Sequence, residues 1–585
     1  MSKITAIELE NFQSIKESIR IDFAPLTLLF GPNSAGKSAI FDALDLLECL
    51  WDPTKYNKTH ANEMILRWAR KDDGIYSPMR LAIEFAYDIR NHASTDIWYS
   101  EKNWKCNKIR TEFGSFFFNE DTFYDDPESS KDFENVTIRM EVIITLASKK
   151  SFFDKKNDND SYEKIPVIKF LRISSTNTKI LEYGYDTADE DVSYKPETLR
   201  SYGLPAKVAK DNVFIGSSFM SEANSHKENL ESEAYECRIY IPQLELSSVA
   251  KIDNLNGNFL ENSSYYSLFT ETFSDIVFYF GTVLGETFRN SSPLVKADRR
   301  VPSPSEALFV VDFELSGWWN TTGIHAATSP AKLLRNQVTS RDPHYSLIAN
   351  SAHASLLLKT ANAVFWGGET AAKHLDELSE QASLISIINE HLSDHLFSEK
   401  LYKIDCESTL MVPIDLSEDD PWSYYALAQP AAVRLLLRDG EGRKLDLQDV
   451  GSGIPFVLPV LYASVYGDLG RLQQPELHLH PALQSELADV FISEVNKNQD
   501  KTFIVETHSE HLLLRLLRRI RDKEKNLPSS ASLRLTTSDL AIYYFNPQVA
   551  GGTVVTRQLV TPLGDFYNDW PRGFFSDRDG DLFNV

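Results

Sequence analysis

Residues 26–38, Leu-Thr-Leu-Leu-Phe-Gly-Pro-Asn-Ser-Ala-Gly-Lys-Ser, constrain the fold more than any other stretch of the chain. The opening Leu-Thr-Leu-Leu-Phe is apolar apart from the β-branched Thr27, which predicts a strand buried on both faces. Gly31 and Gly36 bracket four residues and Lys37-Ser38 follow, completing the G-x-x-x-x-G-K-[ST] phosphate-loop spacing. Glycine at both ends lets backbone N–H groups point at a phosphate without Cβ clashes. A helix starting near Lys37 adds its positive N-terminal end. The pattern predicts a nucleotide site built from Gly31, Asn33, Ser34, Ala35, Gly36, Lys37 and Ser38. Lys37 would reach the β- and γ-phosphates, and the Ser38 hydroxyl would hold the metal, so ATP and Mg²⁺ are the expected cofactors.

Length and composition narrow the surroundings of that loop. A chain of 585 residues predicts more than one domain, and 42% hydrophobic with 25% charged residues is ordinary for a soluble globular protein. The longest apolar run, over residues 453–466, is interrupted by prolines and falls short of the roughly 18 residues a membrane span needs, so none is expected. The N-terminus has no long apolar stretch of the secretory kind. Cys49, Cys106, Cys237 and Cys406 stand singly, without metal-ligand spacing, which fits reduced thiols in a cytoplasmic protein. A net charge of −24 argues against a protein that coats nucleic acid generally, but leaves room for a local basic groove.

In chain order, alternation predicts a strand over 4–15, a second over 18–23, and strands near 80–87, 136–147 and 166–173. Between about 200 and 400 the apolar period turns helical, at 265–288, 352–363 and 371–397, without sustained heptads. Strands return at 401–405, 432–438 and 444–447. A glycine turn then opens an apolar helix at 453, an amphipathic helix covers 482–495, and a buried strand at 502–505 leads to a helix ending near 523. The expected fold is α/β: a mixed sheet with the phosphate loop at its core, an antiparallel β lobe and a helical insertion. Its expected divisions are 1–195, 196–400, 401–545 and a small C-terminal domain at 546–585.

Four phrases, in this order, carry a resemblance. Glu10-Asn-Phe-Gln-Ser-Ile15 precedes the phosphate loop; Val450-Gly-Ser-Gly-Ile454, Pro475-Glu-Leu-His-Leu-His-Pro481 and Glu506-Thr-His-Ser509 follow it. Together they resemble ABC-type ATPase heads of the RecF, OLD and SMC kind. The resemblance implies that Ser452 and Gly453 form a signature loop capping a neighbouring subunit's γ-phosphate, and that His508 is the switch histidine that senses hydrolysis. It also implies heads that work in pairs, as a homodimer or higher assembly. Residues 296–302 resemble an Arg-x-x-Pro element of the same family, and 569–575 a small domain that accompanies one of its subgroups. His478 and His480 alternate as on a strand, which raises metal ligation as a question.

One position departs from the pattern. A Walker B strand normally ends in an acid for the Mg²⁺ shell and a glutamate that orients the attacking water. Here those places hold Gln473 and Gln474, which carry no charge and cannot act as a base. The preceding Gly467-Asp-Leu-Gly-Arg-Leu472 reads as a weakly hydrophobic strand, and Glu476 is the remaining carboxylate of the motif. Relatives often read Glu-Gln-Pro-Glu here, so Gln473 reads either as native or as a Glu-to-Gln change that traps ATP. Catalytic candidates are therefore Gln473, Gln474, Glu476 and His508, with ATP binding expected and hydrolysis slow or absent.

No Toprim or HNH-like nuclease pattern is visible. The resemblance extends to the ATPases of Septu-type phage-defence systems, which implies a sensor and scaffold subunit with a separately encoded nuclease effector. A RecF-like repair ATPase that clamps DNA stays open, with Arg515, Arg518, Arg519 and Arg521 as either a basic patch or a solvated face paired with acids. A scaffold holding ATP as a structural ligand is the third reading.

Overall fold

The computed structural model describes residues 3–52, 58–72, 75–87, 136–148, 164–175, 178–184, 237–238, 249–250, 280–288, 291, 294–297, 308–309, 385–398, 401–411, 429–527, 533–549 and 551–568. Its longer elements begin with β1 (Lys3–Glu10), β2 (Ile19–Asp22), β3 (Leu26–Phe30), α1 (Ala39–Trp51) and α2 (Lys58–Trp68). The strands β4 (Met79–Tyr87), β5 (Val136–Ser148), β6 (Lys164–Ser175) and β7 (Thr178–Gly184) come next. The C-terminal part holds β8 (Lys403–Met411), β9 (Gln429–Arg438), α3 (Gly453–Val465), β10 (Leu469–Gln473) and α4 (Pro481–Lys497). It closes with β11 (Thr502–Glu506), α5 (Glu510–Glu524), β12 (Leu540–Pro547) and β13 (Thr553–Gln558). Most of the expected helical insertion, the Arg-x-x-Pro element and residues 569–585 lie outside the described residues.

The chain divides into two units that exchange segments: residues 1–23, 31–289 and 545–556 form one, and 24–30, 290–544 and 557–585 the other. The first is built on a six-stranded sheet in the order β2-β1-β4-β5-β6-β7, with every neighbour antiparallel. One face is apolar, with Ile7, Leu9, Leu81, Ile83 and Met140 buried. On the other, Arg139 bonds Glu8 (2.6 Å) and Glu84 (2.8 Å), and Arg20 bonds both acids. Such cross-strand pairs pin register, because a one-residue slip would reverse both faces.

The second unit holds the parallel core, in the order β10-β11-β3-β12. β3 is buried at all five positions, as a central parallel strand requires. Thr27 fits there because its hydroxyl is satisfied locally, donating to the Ala24 carbonyl and accepting from the Ala24 N–H. α3, α4 and α5 pack on this sheet through one apolar cluster that includes Leu28, Val457, Phe491, Val505 and Leu516.

One expectation is corrected. The strand predicted over 4–15 stops at Glu10. Asn11 (φ 53°) and Gln13 (φ 51°) fold residues 11–15 into a turn that sends both Phe12 and Ile15 into the core. The segment before Gln473 is a well-buried strand despite its sequence. Gly470 sits under the Phe503 ring, which a Cβ would approach to 2.5 Å, and Arg471 is itself buried. Backbone bonds from Val295 to Arg471 (2.9 Å) and from Gln473 to Val295 (2.8 Å) satisfy the edge of β10 away from β11.

Candidate functional site

The phosphate loop leaves β3 at Phe30, at the carboxyl end of the strand, where open parallel sheets bind ligands. Gly31 (φ 143°) and Gly36 (φ 90°) adopt backbone that other residues rarely take. A Cβ on Gly31 would lie 2.4 Å from the Phe545 carbonyl oxygen, and one on Gly36 would lie 2.0 Å from Ser14 Oγ. The Asn11–Ser14 turn thus sits directly against the loop, while Gln13 Nε2 donates to Asp42 of α1 at 2.7 Å. The Thr553 hydroxyl donates to the Ala35 carbonyl at 2.9 Å and holds the loop from the other side. Asn33, Ser34 and Ser38 are exposed, whereas Ala35 and Lys37 are buried. Lys37 Nζ bonds the carbonyls of Gly31 (3.0 Å) and Pro32 (2.8 Å), which lays its ammonium along the inside of the loop. α1 begins at Ala39, two residues later than predicted, with Ser38 at its N-cap and its side chain not spent on capping.

In the second unit the ends of the parallel strands are level: Gln473 pairs Glu506, and Glu506 pairs Leu29. Gln473 is half-buried at the last position of β10, and Gln474 (φ 45°) turns the chain there, its N–H bonding the Glu506 carbonyl at 2.7 Å. Glu476 is buried, and its Oε1 accepts the His508 backbone N–H at 2.8 Å. Ser509 caps α5 by accepting from Leu512 N at 3.0 Å. Ser452 is exposed just before α3, and Gly453 is the first residue of that helix.

The strand alternation expected for His478 and His480 does not occur. Residues 474–480 form a turn with His478 at φ 65°. His478 stacks edge-on to Phe456 at 4.3 Å, and His480 Nδ1 accepts from Ala482 N at the start of α4. Among the described residues no group of three or more His, Cys, Asp or Glu is placed to hold a metal ion. For Mg²⁺, a hard cation that takes oxygen ligands, the loop offers the Ser38 hydroxyl. On the strand ends the sequence reading passed over Glu506, a buried carboxylate level with Gln473. Its signal was the glutamate immediately before Thr507-His508, read there only as part of a phrase.

The four arginines of α5 are engaged with acids. Arg519 grips Asp489 bidentately at 2.7 and 2.8 Å, and Arg515 lies 3.3 Å from the same carboxylate. Arg518 faces Asp522, while Arg521 bonds Asp565 and the Leu563 carbonyl.

Residues 2–272, less than half of the chain, match the family model described as an AAA ATPase domain. No curated protein matches the chain. Among solved structures it is similar to an SmcHead bound to the C-winged helix domain of ScpA, with 9% identity, TM-score 0.36, and 95% of this chain and 98% of that one covered. It is also similar to a Pyrococcus furiosus Smc head bound to the C-terminal domain of ScpA (10%, 0.34, 96% and 97%). A third is the SMC head domain from Thermotoga maritima (7%, 0.29, 95% and 98%).

Proposed function

We propose that this chain is an ABC-type ATPase head that binds ATP with Mg²⁺ and uses the bound nucleotide as a switch, with hydrolysis slow or absent. The observation that carries the reading is the complete phosphate loop at the carboxyl end of a buried parallel strand. The match of residues 2–272 to an AAA ATPase domain supports it. In this reading the loop amides and Lys37 bind the phosphates, and Ser38 offers the metal a hydroxyl. Ser452 and Gly453, at the N-terminus of α3, present a cap to a second copy. Magnesium, when bound, neutralises phosphate charge and orients the γ-phosphoryl group. Gln473 and Gln474 can orient a water but cannot take its proton. Glu506 is a buried carboxylate at the end of β11, level with Gln473.

The finer reading is a sensor and scaffold subunit of an anti-phage complex whose nuclease is a separate chain. It rests on the sequence resemblance to Septu-type ATPases. The pairing of the α5 arginines with acids supports this reading over a repair ATPase that clamps DNA. The biochemical test is ATP turnover by the chain beside Gln473→Glu and Lys37→Ala variants. Silence in the first with hydrolysis in the second supports a switch in a trapped state; silence in both, with ATP still bound, supports a structural ligand. Rapid turnover by the unaltered chain contradicts the proposal. Purification from the native operon with a stoichiometric nuclease supports the finer reading, and a lone homo-oligomer contradicts it.

A further inference from the structure

The turn between β12 and β13 reaches back from near the end of the chain to the phosphate loop, and both belong to the first unit. It closes tightly, through Gln548 N to Gly552 O and Gly551 N to Gln548 O, both 2.9 Å. Gly552 (φ 90°) packs on Lys16, just past the 11–15 turn, so closely that a Cβ there would stand 3.1 Å from Lys16 Cβ. On one leg, the Phe545 carbonyl oxygen fills the space beside Gly31. On the other, Thr553 Oγ1 donates to the Ala35 carbonyl at 2.9 Å. Both residues are buried, where an unmade hydrogen bond costs most. Thr553 is the single buried position of β13. The Ala35–Gly36 peptide is trans, so its N–H points opposite its C=O. A carbonyl held towards Thr553 therefore fixes the Gly36 N–H away from the hairpin.

We infer that Thr553 is a positioning residue for nucleotide binding: by holding the Ala35 carbonyl outward, it presents the Gly36 N–H to the phosphate. This rests on the nucleotide reading above. Gly36 has no Cβ to hinder rotation of its peptide plane, so the Ala35–Gly36 peptide is the one in the loop that most needs an outside hold. An anion site made of backbone amides works only while those amides converge. The hairpin is in this way part of the binding site without touching the ligand. Its hydroxyl comes from 518 residues along the chain, so the loop's own sequence does not carry everything that sets its shape.

The test combines amide hydrogen exchange without nucleotide and calorimetric titration with ATP and Mg²⁺, on the full chain and its Thr553→Val, Thr553→Ser and Gly552→Ala variants. Valine keeps the shape of threonine but has no hydroxyl, whereas serine keeps the hydroxyl. Thr553→Val is expected to raise exchange at Gly36 and Lys37 roughly fivefold and to weaken ATP binding by about the same factor. Amides of β4 and β5, in the same unit, should stay within about twofold. Thr553→Ser is expected to stay within about twofold of the unaltered chain in both measurements. Gly552→Ala pushes the hairpin tip off Lys16 and is expected to raise exchange at Gly36 with the hydroxyl in place, so the hairpin's role is still read if Thr553→Val fails to fold. Unchanged exchange at Gly36 in Thr553→Val, a rise shared equally by β4 and β5, a rise with no loss of ATP affinity, or a serine variant that behaves as the valine one overturns the inference. Absence of ATP binding by the unaltered chain removes the nucleotide reading, while exchange at Gly36 still decides whether Thr553 holds the loop.

Discussion

Gly36 shows how closely the phosphate loop is built. Its φ of 90° and the 2.0 Å approach of a Cβ to Ser14 Oγ both forbid a side chain. Gly36→Ala should therefore weaken ATP binding at least about tenfold, and strain at such a φ costs of order 1–3 kcal/mol. Titrating a fluorescent ATP analogue checks this, and unchanged affinity would refute the geometry. Gly470 is a second steric case. Alanine there meets the Phe503 ring, and overpacking of this kind costs roughly 1–3 kcal/mol in urea unfolding. Lys501 is the third residue of note. It is buried, and its Nζ bonds the carbonyls of Tyr466 (2.9 Å) and Gly467 (2.6 Å) beyond the C-terminus of α3. Burial pushes its pKa down to about 7. Between that value and the ordinary lysine value of about 10.5 the unfolded chain binds the extra proton, so stability rises with pH across this window. Lys501→Met should flatten the rise, as the difference between the two proteins' urea midpoints from pH 7 to 10.

At the scale of elements, much was legible in the pattern. The alternation in 80–87 and 136–147 became β4 and β5, because a sheet with one apolar and one polar face writes a period of two into sequence. α3 was legible as an apolar run after a glycine turn, and α5 through its apolar period. The turn at 11–15 was not legible: its alternation is that of a strand, and the positive φ of Asn11 and Gln13 serves contacts with α1 and α2 that lie far along the chain. β10 was legible as a strand but not as a buried one, since Gly470 looks like a break in hydrophobicity until Phe503 is set against it. In the antiparallel sheet, the bond from Arg139 and then Arg20 lowers the Glu8 pKa to about 2, and bonds from Arg20 and then Arg139 lower that of Glu84. Carboxylates held low contribute stability above their ordinary range, lost as pH falls through about 4.5 towards 2. Glu8→Gln should flatten the acid limb of unfolding in that window, measured by circular dichroism.

For the whole molecule, the proposed pairing of heads makes association depend on nucleotide. With ATP and Mg²⁺ the chain should shift from monomer towards dimer in light scattering, and Ser452→Arg should block the shift while leaving ATP binding intact, since Ser452 is exposed. Association that ignores nucleotide would separate oligomerisation from the switch. All of this presupposes that ATP occupies the loop at 31–38, and calorimetric titration of the full chain with ATP tests that most directly. The account predicts saturable binding that depends on Mg²⁺ and is weakened at least roughly tenfold by Lys37→Ala, the loss of a charge-assisted phosphate contact. No binding by the folded, unaltered chain, or equal binding by Lys37→Ala, would contradict it.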